Sequence, residues 1–405
     1  MHAQVEANSV LCVANFPSNT GYAWDFIEAL YAGVAERASD QGIDTFVAYP
    51  ELAAPPRTLS GSPACAVRLP LDLNRPGQVL RLLRFVRTHS VGAVYLSDRP
   101  TWHPVYGLLR VAGVDWIVVH EHSSGARTAA TGIRGVLKRA SRKFPALMVD
   151  RVIAVSEYVA ARIRSVDRVP ASRIVRVWNS VNVPAEPLRE APAFLAEHGI
   201  PSSRPLICCA GRLTREKGFD HLFRAFDRAL DSMRPDEPWP LLVCMGSGPV
   251  EDELRSLAHS LKHGRDIRML GYVANPMRVL AAGQVAVVPS VWEEAFGLAA
   301  LEPLACGVPV IASAAGGLPE IVEHGRTGLL VPPGDEVALA SALLELIRDP
   351  ARCRRMGALG RERARTDFDF RTAVAKVTQV VLEPIASSRA AARARARDLS
   401  ERSPS

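Results

Sequence analysis

Short apolar runs alternate with amphipathic stretches along most of this 405-residue chain. In the first half, Val10–Ala14, Thr45–Tyr49, Ala93–Ser97, Trp116–Val119, Val152–Val155 and Ile174–Trp178 read as buried strands, apolar throughout and too short for helices. Between them, Tyr22–Gln41, Gln78–Ser90 and Ile133–Val149 repeat apolar residues at helical spacing. Val183 to Pro192 reads as a linker. A second series of strands begins beyond it, at Leu206–Ala210, Leu241–Met245, Ile267–Leu270, Val285–Val288 and Val308–Ala312. Strands alternating with helices predict parallel sheets with crossover helices, hence an α/β fold of two doubly wound domains with ligand at the carboxyl ends of their strands. A helical stretch from Phe370 to Ile385 follows, and the Ala/Arg-rich tail, 387–405, is expected to be mobile.

Length agrees with two domains, since one core rarely serves a chain of this size. The composition, 48% hydrophobic and 22% charged, is ordinary for a globular protein. The net charge of +7 is uneven: residues 1–185 carry 21 Lys/Arg against 14 Asp/Glu, whereas 186–370 carry 21 against 25. An anionic partner is therefore expected on the N-terminal side. Nucleic acid is not, because the basic residues lack interleaved aromatics or a known module. No apolar stretch is long enough to span a bilayer, and Met1–Ser9 lacks the basic start of a signal peptide, so a cytoplasmic location is expected. Seven scattered cysteines without paired-metal spacing read as reduced, buried thiols.

The candidate chemistry lies mostly at strand ends of the second half. Glu294 and Glu302 bracket Phe296, Gly297 and Leu298, a helix entrance whose unpaired N–H groups favour an anion. Two such acids could grip a polyhydroxylated ligand with a phosphate between them, or simply be surface acids. Leu206–Ala210 runs into Gly211-Arg212-Leu-Thr-Arg-Glu-Lys217-Gly218, where glycine permits backbone approach and Arg212 and Lys217 offer charge to phosphate. A basic surface turn would use the same residues. Gly246-Ser-Gly248 leaves the next strand similarly, and Gly316-Gly317 leaves a further strand into what reads as a helix. Glycine-bearing ends recurring along what should be one edge are hard to assign to turns alone.

In the first half, Gly21 follows Val10–Ala14 and could present its N–H across a cleft. His120-Glu121-His122 leaves Trp116–Val119, where a His could bond a hydroxyl, bear a proton, or join a metal site lacking a visible third ligand. The stretch Gly132–Val149 sets Arg134, Lys138, Arg139, Arg142 and Lys143 opposite an apolar face, with Pro145 bending it, and Arg81, Arg84 and Arg87 line a second helix. Such faces can lie on an anionic leaflet or be solvated crossover surfaces.

From Gly211-Arg212 through Glu294-x7-Glu302 to Gly316-Gly317-Leu-Pro-Glu320 and Gly334-Asp335, the second half resembles the retaining glycosyltransferases of family 4, whose fold is GT-B. The first half matches loosely, through Gly21, the His120/His122 segment and Val155-Ser156-Glu-Tyr158. The resemblance implies an acceptor-side domain over 1–185, a donor domain over 186–369, and a helix over 370–386 returning to the first domain. It implies catalytic roles for Arg212, Lys217, Glu294 and His122. Donor contacts would come from Gly21, His120, Gly211, Gly246, Phe296, Gly297, Leu298 and Glu302, the last on ribose. No metal and no other cofactor is expected, because the cations do a divalent ion's work and no Asp-x-Asp signature is present. The implied donor is a nucleotide-sugar, UDP-linked before GDP-linked. The implied acceptor is a saccharide hydroxyl, lipid-linked at the inner membrane face before a soluble small molecule; a non-catalytic binding subunit is the alternative of another class. Two positions depart from the family: Asn179-Ser180-Val181-Asn182 for Asn-Gly-Val-Asp, and Gln284 for an Asp.

Overall fold

The computed structural model describes residues 8–21, 23–125, 144–185, 191–201, 203–383 and 385. Among these, strands β1 (Ser9–Val13), β2 (Asp44–Tyr49), β3 (Cys65–Arg68), β4 (Val91–Ser97), β5 (Trp116–Glu121), β6 (Arg151–Ala154) and β7 (Ile174–Arg176) form one sheet. Strands β8 (Leu206–Ala210), β9 (Leu241–Met245), β10 (Ile267–Met269), β11 (Val285–Val288), β12 (Val310–Ser313) and β13 (Gly328–Val331) form another. The strand orders are β3-β2-β1-β4-β5-β6-β7 and β10-β9-β8-β11-β12-β13. Every pairing is parallel; β8 and β11, for instance, align Ile207 with Val285 and Cys208 with Ala286. In both sheets the winding direction reverses beside the first strand, between β1 and β4 and between β8 and β11, where a crevice opens at the carboxyl ends.

Helices cover the sheets: α1 (Ala23–Ser39), α2 (Pro76–Thr88), α3 (Pro104–Val111), α4 (Glu157–Arg162), α5 (Ala191–Glu197), α6 (Phe219–Asp231), α7 (Glu251–Ser260), α8 (Met277–Leu280), α9 (Leu298–Ala305), α10 (Glu336–Ile347), α11 (Pro350–Asp367) and α12 (370–383). Coverage on both faces is why β1, β4, β8, β9 and β11 are apolar runs without polar alternation. Helix α6 buries Phe219, Leu222, Phe223, Phe226 and Leu230, a stripe at helical spacing. Helix α10 starts where the Asp335 carboxylate accepts from the Val337 and Ala338 N–H groups.

Helix α12 returns to the first sheet. Val377 and Val381 are buried with Val10, Cys12, Tyr95 and Ile153, and Trp116 Nε1 donates to the Val380 carbonyl at 2.9 Å. Gly33 of α1 makes room for it, since a Cβ there would meet Val374 at 2.5 Å. The connections in both directions run together, Val181 N–H donating to the Phe368 carbonyl at 3.0 Å. In this turn the Asn179 and Ser180 side-chain oxygens are buried without hydrogen-bond partners among the described residues.

Several elements differ from expectation. The helix expected over Ile133–Val149 does not cover its C-terminal part: Pro145–Leu147 is a 3-10 turn and Met148 bridges to Trp102. Proline has no N–H for a helical bond, and its ring clashes with the preceding turn. The rest of that stretch, with Arg134, Lys138, Arg139, Arg142 and Lys143, lies outside the described residues, as does the tail 387–405. Gly316-Gly317 leads into a 3-10 turn, Leu318–Glu320, in place of the expected helix. Strand β3, only half-buried, and β13, in a turn-rich segment, carry too little apolar signal to stand out.

Candidate active site

The loop after β8 is built against its neighbours. Gly211 N–H donates to the Met245 carbonyl at 3.0 Å and Gly246 N–H to the Gly271 carbonyl at 2.7 Å. Gly246, at φ +141, has no room for a side chain: a Cβ would stand 1.8 Å from the Gly211 carbonyl oxygen. Both N–H groups thus join one strand end to the next. Gly218, at φ +66, starts α6 with its bare face 2.1 Å from the Pro289 carbonyl oxygen, measured from a would-be Cβ. That close approach locks the basic loop against the segment after β11.

On this frame Lys217 reaches across to Glu294. Lys217 Nζ lies 2.6 Å from Glu294 Oε1, and Ser290 Oγ donates to the same oxygen at 2.6 Å. Glu294 is buried, at 8% exposure, so charge pairing strengthens the contact. Neither bond uses Oε2, which has no protein partner among the described residues. Arg212, by contrast, is exposed and forms no ion pair among the described residues.

The entrance of α9 follows. Gly297 adopts φ +114, with Leu318 filling the space of a side chain. The N–H groups of Phe296, Gly297 and Leu298 donate no hydrogen bond among the described residues, leaving an anion-accepting helix end. Within α9, Glu302 Oε2 is buried without a donor, and burial pushes this carboxyl up to about 7. An unpaired buried carboxyl is costly until something donates to it.

From the first sheet, His120 is 1% exposed and its Nδ1 lies 2.6 Å from the Tyr95 hydroxyl. His122, less buried, lies tilted against it with ring centroids 3.9 Å apart, and its backbone N–H donates to Asp98 Oδ1 at 2.7 Å. Burial pulls both histidines below the ordinary range; His122 as a neighbouring positive charge adds to this for His120, whereas Asp98 opposes it for His122. Both are neutral near pH 7 and suited to hydrogen bonding, and each keeps a buried Nε2 without a protein partner. Glu121 pairs with Arg162 at 3.1 Å, both side chains under 5% exposed. No cluster of three potential metal ligands occurs among the described residues. Gly21, at φ +85, faces the second sheet: a Cβ would meet the Tyr272 hydroxyl at 3.3 Å.

Two features of this region escaped sequence reasoning. The Arg162–Glu121 pair joins residues forty-one apart in sequence. The Glu320 carboxylate accepts from the N–H groups of Glu157 and Tyr158, at 2.8 and 2.9 Å, and from Trp178 Nε1 at 3.0 Å, so it caps α4 from the opposite sheet. Only the Gly316-Gly317-Leu-Pro-Glu320 motif hinted at it. Gln284, the departure from the family's Asp, donates to the Leu346 and Ile347 carbonyls at the end of α10.

Two parallel, doubly wound sheets meeting at their carboxyl ends, with acids, cations and free N–H groups at the junction, define the GT-B class of fold. Its solved neighbours agree: a glycosyltransferase from Rickettsia africae ESF-5 (TM-score 0.76, 18% identity, 93% of this chain and 98% of that one), and the Anabaena protein HepE in complex with UDP-glucose (0.71, 19%, 94% and 99%). Family models for Glycosyltransferase Family 4 and for Glycosyl transferases group 1 match residues 27–184 and 191–363. A GDP-mannose-dependent alpha-(1-6)-phosphatidylinositol monomannoside mannosyltransferase from Mycobacterium tuberculosis (strain CDC 1551 / Oshkosh) is 30% identical over 330 residues, 77% of this chain and 81% of the relative. An alpha-maltose-1-phosphate synthase from Mycolicibacterium smegmatis is 35% identical over 239 residues, 55% of this chain; the match spans 60% of that relative's length. The chain belongs to glycosyltransferase family 4.

Proposed function

We propose that this protein is a retaining glycosyltransferase that moves a sugar from a nucleotide-sugar to a hydroxyl acceptor. The observation that carries the reading is Glu294: a buried carboxylate held on one oxygen by Lys217 and Ser290, one residue removed from the unpaired N–H groups of Phe296–Leu298. In this role its free oxygen accepts from donor-sugar hydroxyls, and the helix entrance faces sugar and phosphate. Glu302 takes the ribose hydroxyls, which would satisfy its orphaned oxygen. His122 bonds the sugar as a neutral imidazole, with His120 and Tyr95 behind it. Gly21 offers its N–H from the first sheet.

As the anomeric C–O bond breaks, negative charge grows on the departing diphosphate. Lys217, already fixed by Glu294, and the exposed Arg212 stabilise that charge more than the ground state. The two cations fill the role of a divalent ion, so transfer proceeds without metal, and the acceptor hydroxyl attacks from the face the diphosphate leaves.

The acceptor is a lipid-linked saccharide at the inner membrane surface. Helix α2 exposes Leu80, Arg81, Arg84 and Arg87, and Leu108 and Val111 of α3 and Phe144 are exposed as well. Apolar groups among cations suit an anionic interface. No described helix is long and apolar enough to cross a membrane; the attachment proposed is peripheral, at the cytoplasmic face. Relatives spanning three quarters of the chain are named as mannosyltransferases of phosphatidylinositol mannosides, a lipid class. The same names favour a GDP-linked donor as a second reading beside the UDP-linked one.

Calorimetric titration with UDP, GDP and ADP tests the reading. Saturable binding of one nucleotide, lost in Lys217→Ala, supports it; no binding by folded protein turns it towards a non-catalytic subunit.

A further inference from the structure

Glu294 owes its side-chain position to its own sheet, whose Gly317 N–H also donates to its carbonyl at 2.8 Å, but the carbonyls on either side of it are held by the other sheet. On one side, the Glu293 carbonyl accepts from Gly125 N–H at 2.8 Å. On the other, the Ala295 carbonyl accepts from Ser156 Oγ at 2.5 Å, while Ser156 itself caps α4 by accepting from Val159 N–H at 3.0 Å. Gly125 is held in turn by Arg162, at the end of the helix that Ser156 caps. Its Nη1 donates to the Ser123 and Gly125 carbonyls at 2.9 and 3.0 Å, and its Nη2 pairs with Glu121. One buried guanidinium thus binds three points of the segment that begins directly after His120 and ends at Gly125.

The last of those points is shaped for close approach. Gly125 is buried at φ +91, and a Cβ there would run into the Trp292 indole at 2.3 Å. The loop of Trp292, Glu293 and Glu294 therefore rests directly on bare backbone of the first sheet. A buried ion pair is weak evidence for a stability role, because apolar residues of similar volume often serve as well. What the guanidinium fork supplies here is geometry, with several bonds in fixed directions.

We infer that Arg162 is a positioning residue: through the 123–125 turn it sets the His122 strand end of one sheet in register with the Glu293–Ala295 loop of the other. The site is complete only when this junction is made, so the acceptor-side sheet places the loop that carries the sugar-holding carboxylate. The part of this that concerns sugar rests on the function proposed above; the mechanical coupling does not.

Two variants of the full chain test it. Arg162→Lys keeps a positive charge against Glu121 but loses the fork, and Gly125→Ala forces the Trp292 contact apart without touching any charge. Hydrogen exchange of the 118–125 peptide, which holds the Gly125 N–H that donates to the Glu293 carbonyl, followed by mass spectrometry, reads the junction without ligand. Both variants are expected to speed exchange there by about tenfold, the loss of one hydrogen bond's worth of protection, with distant peptides unchanged. UDP or GDP affinity, whichever the parent protein shows, should stay within about twofold, while turnover of the matching nucleotide-sugar falls on the order of a hundredfold, as small misplacements do. Unchanged exchange at 118–125 in both variants overturns the inference, as does a nucleotide affinity that falls in step with turnover. Parent protein that binds no nucleotide defeats the proposed function instead, and the exchange result then still decides the coupling.

Discussion

Lys217 Nζ and Ser290 Oγ meet on the same oxygen of Glu294, each at 2.6 Å, although Lys217 stands seventy-seven residues away in sequence. This pairing fixes the lysine before any ligand arrives. A preorganised cation does not have to be reoriented as charge develops on the leaving group. Lys217→Ala should lower transfer by about 10²–10³-fold and abolish measurable nucleotide binding by calorimetry. Glu294→Gln, which keeps shape but not charge, should cut turnover with less effect on nucleotide affinity; equal losses in both would show that Glu294 serves only to hold Lys217.

Glu302 makes stability fall with rising pH. Its carboxyl, ordinarily near 4.5, is pushed up to about 7 by burial. Between those values the folded protein keeps a proton that the unfolded chain has released, so the favourable contribution is complete below 4.5 and is lost as pH rises through about 7. The change is at most about 3 kcal/mol. Denaturant midpoints at pH 5 and 8 should differ less in Glu302→Gln than in the parent.

The same carboxyl should recognise ribose. The 2′-deoxy form of whichever nucleotide binds is expected to bind about 10–100-fold more weakly, the worth of a hydrogen bond to a charged group. Calorimetry on Glu302→Gln should show that discrimination reduced, and retention of the full difference would move the ribose contact elsewhere.

Gly246 is a test of structure apart from chemistry. With the Gly211 carbonyl 1.8 Å from a would-be Cβ and φ at +141, Gly246→Ala should destabilise the second sheet by about 2 kcal/mol or more. A thermal melt reads this directly. An unchanged midpoint would mean that the two loops separate easily.

The exposed residues of α2 and α3 make the membrane reading testable. Arg81→Glu with Arg84→Glu, and separately Val111→Asp, should weaken co-sedimentation with anionic phospholipid vesicles by about tenfold or more, since each cation contributes about 1 kcal/mol. Full binding by both variants would point to a soluble acceptor.

The sequence by itself determined the class of fold, because buried parallel strands must be continuous apolar runs and crossover helices must carry an apolar stripe. Val10–Ala14, Leu206–Ala210, Leu241–Met245 and Val285–Val288 were legible for that reason, and so was the acid-bearing entrance of α9. Elements with weak patterning were not: β3 is half-exposed and β13 begins in a run of turn residues. The glycines were visible, but not that the N–H groups of Gly211 and Gly246 join neighbouring strand ends. Only the tertiary structure could pair Lys217 with Glu294, Arg162 with Gly125 and Glu320 with the start of α4. Those bonds join chain segments that local periodicity does not connect, and whether two distant polar groups come within 3 Å depends on how whole sheets pack.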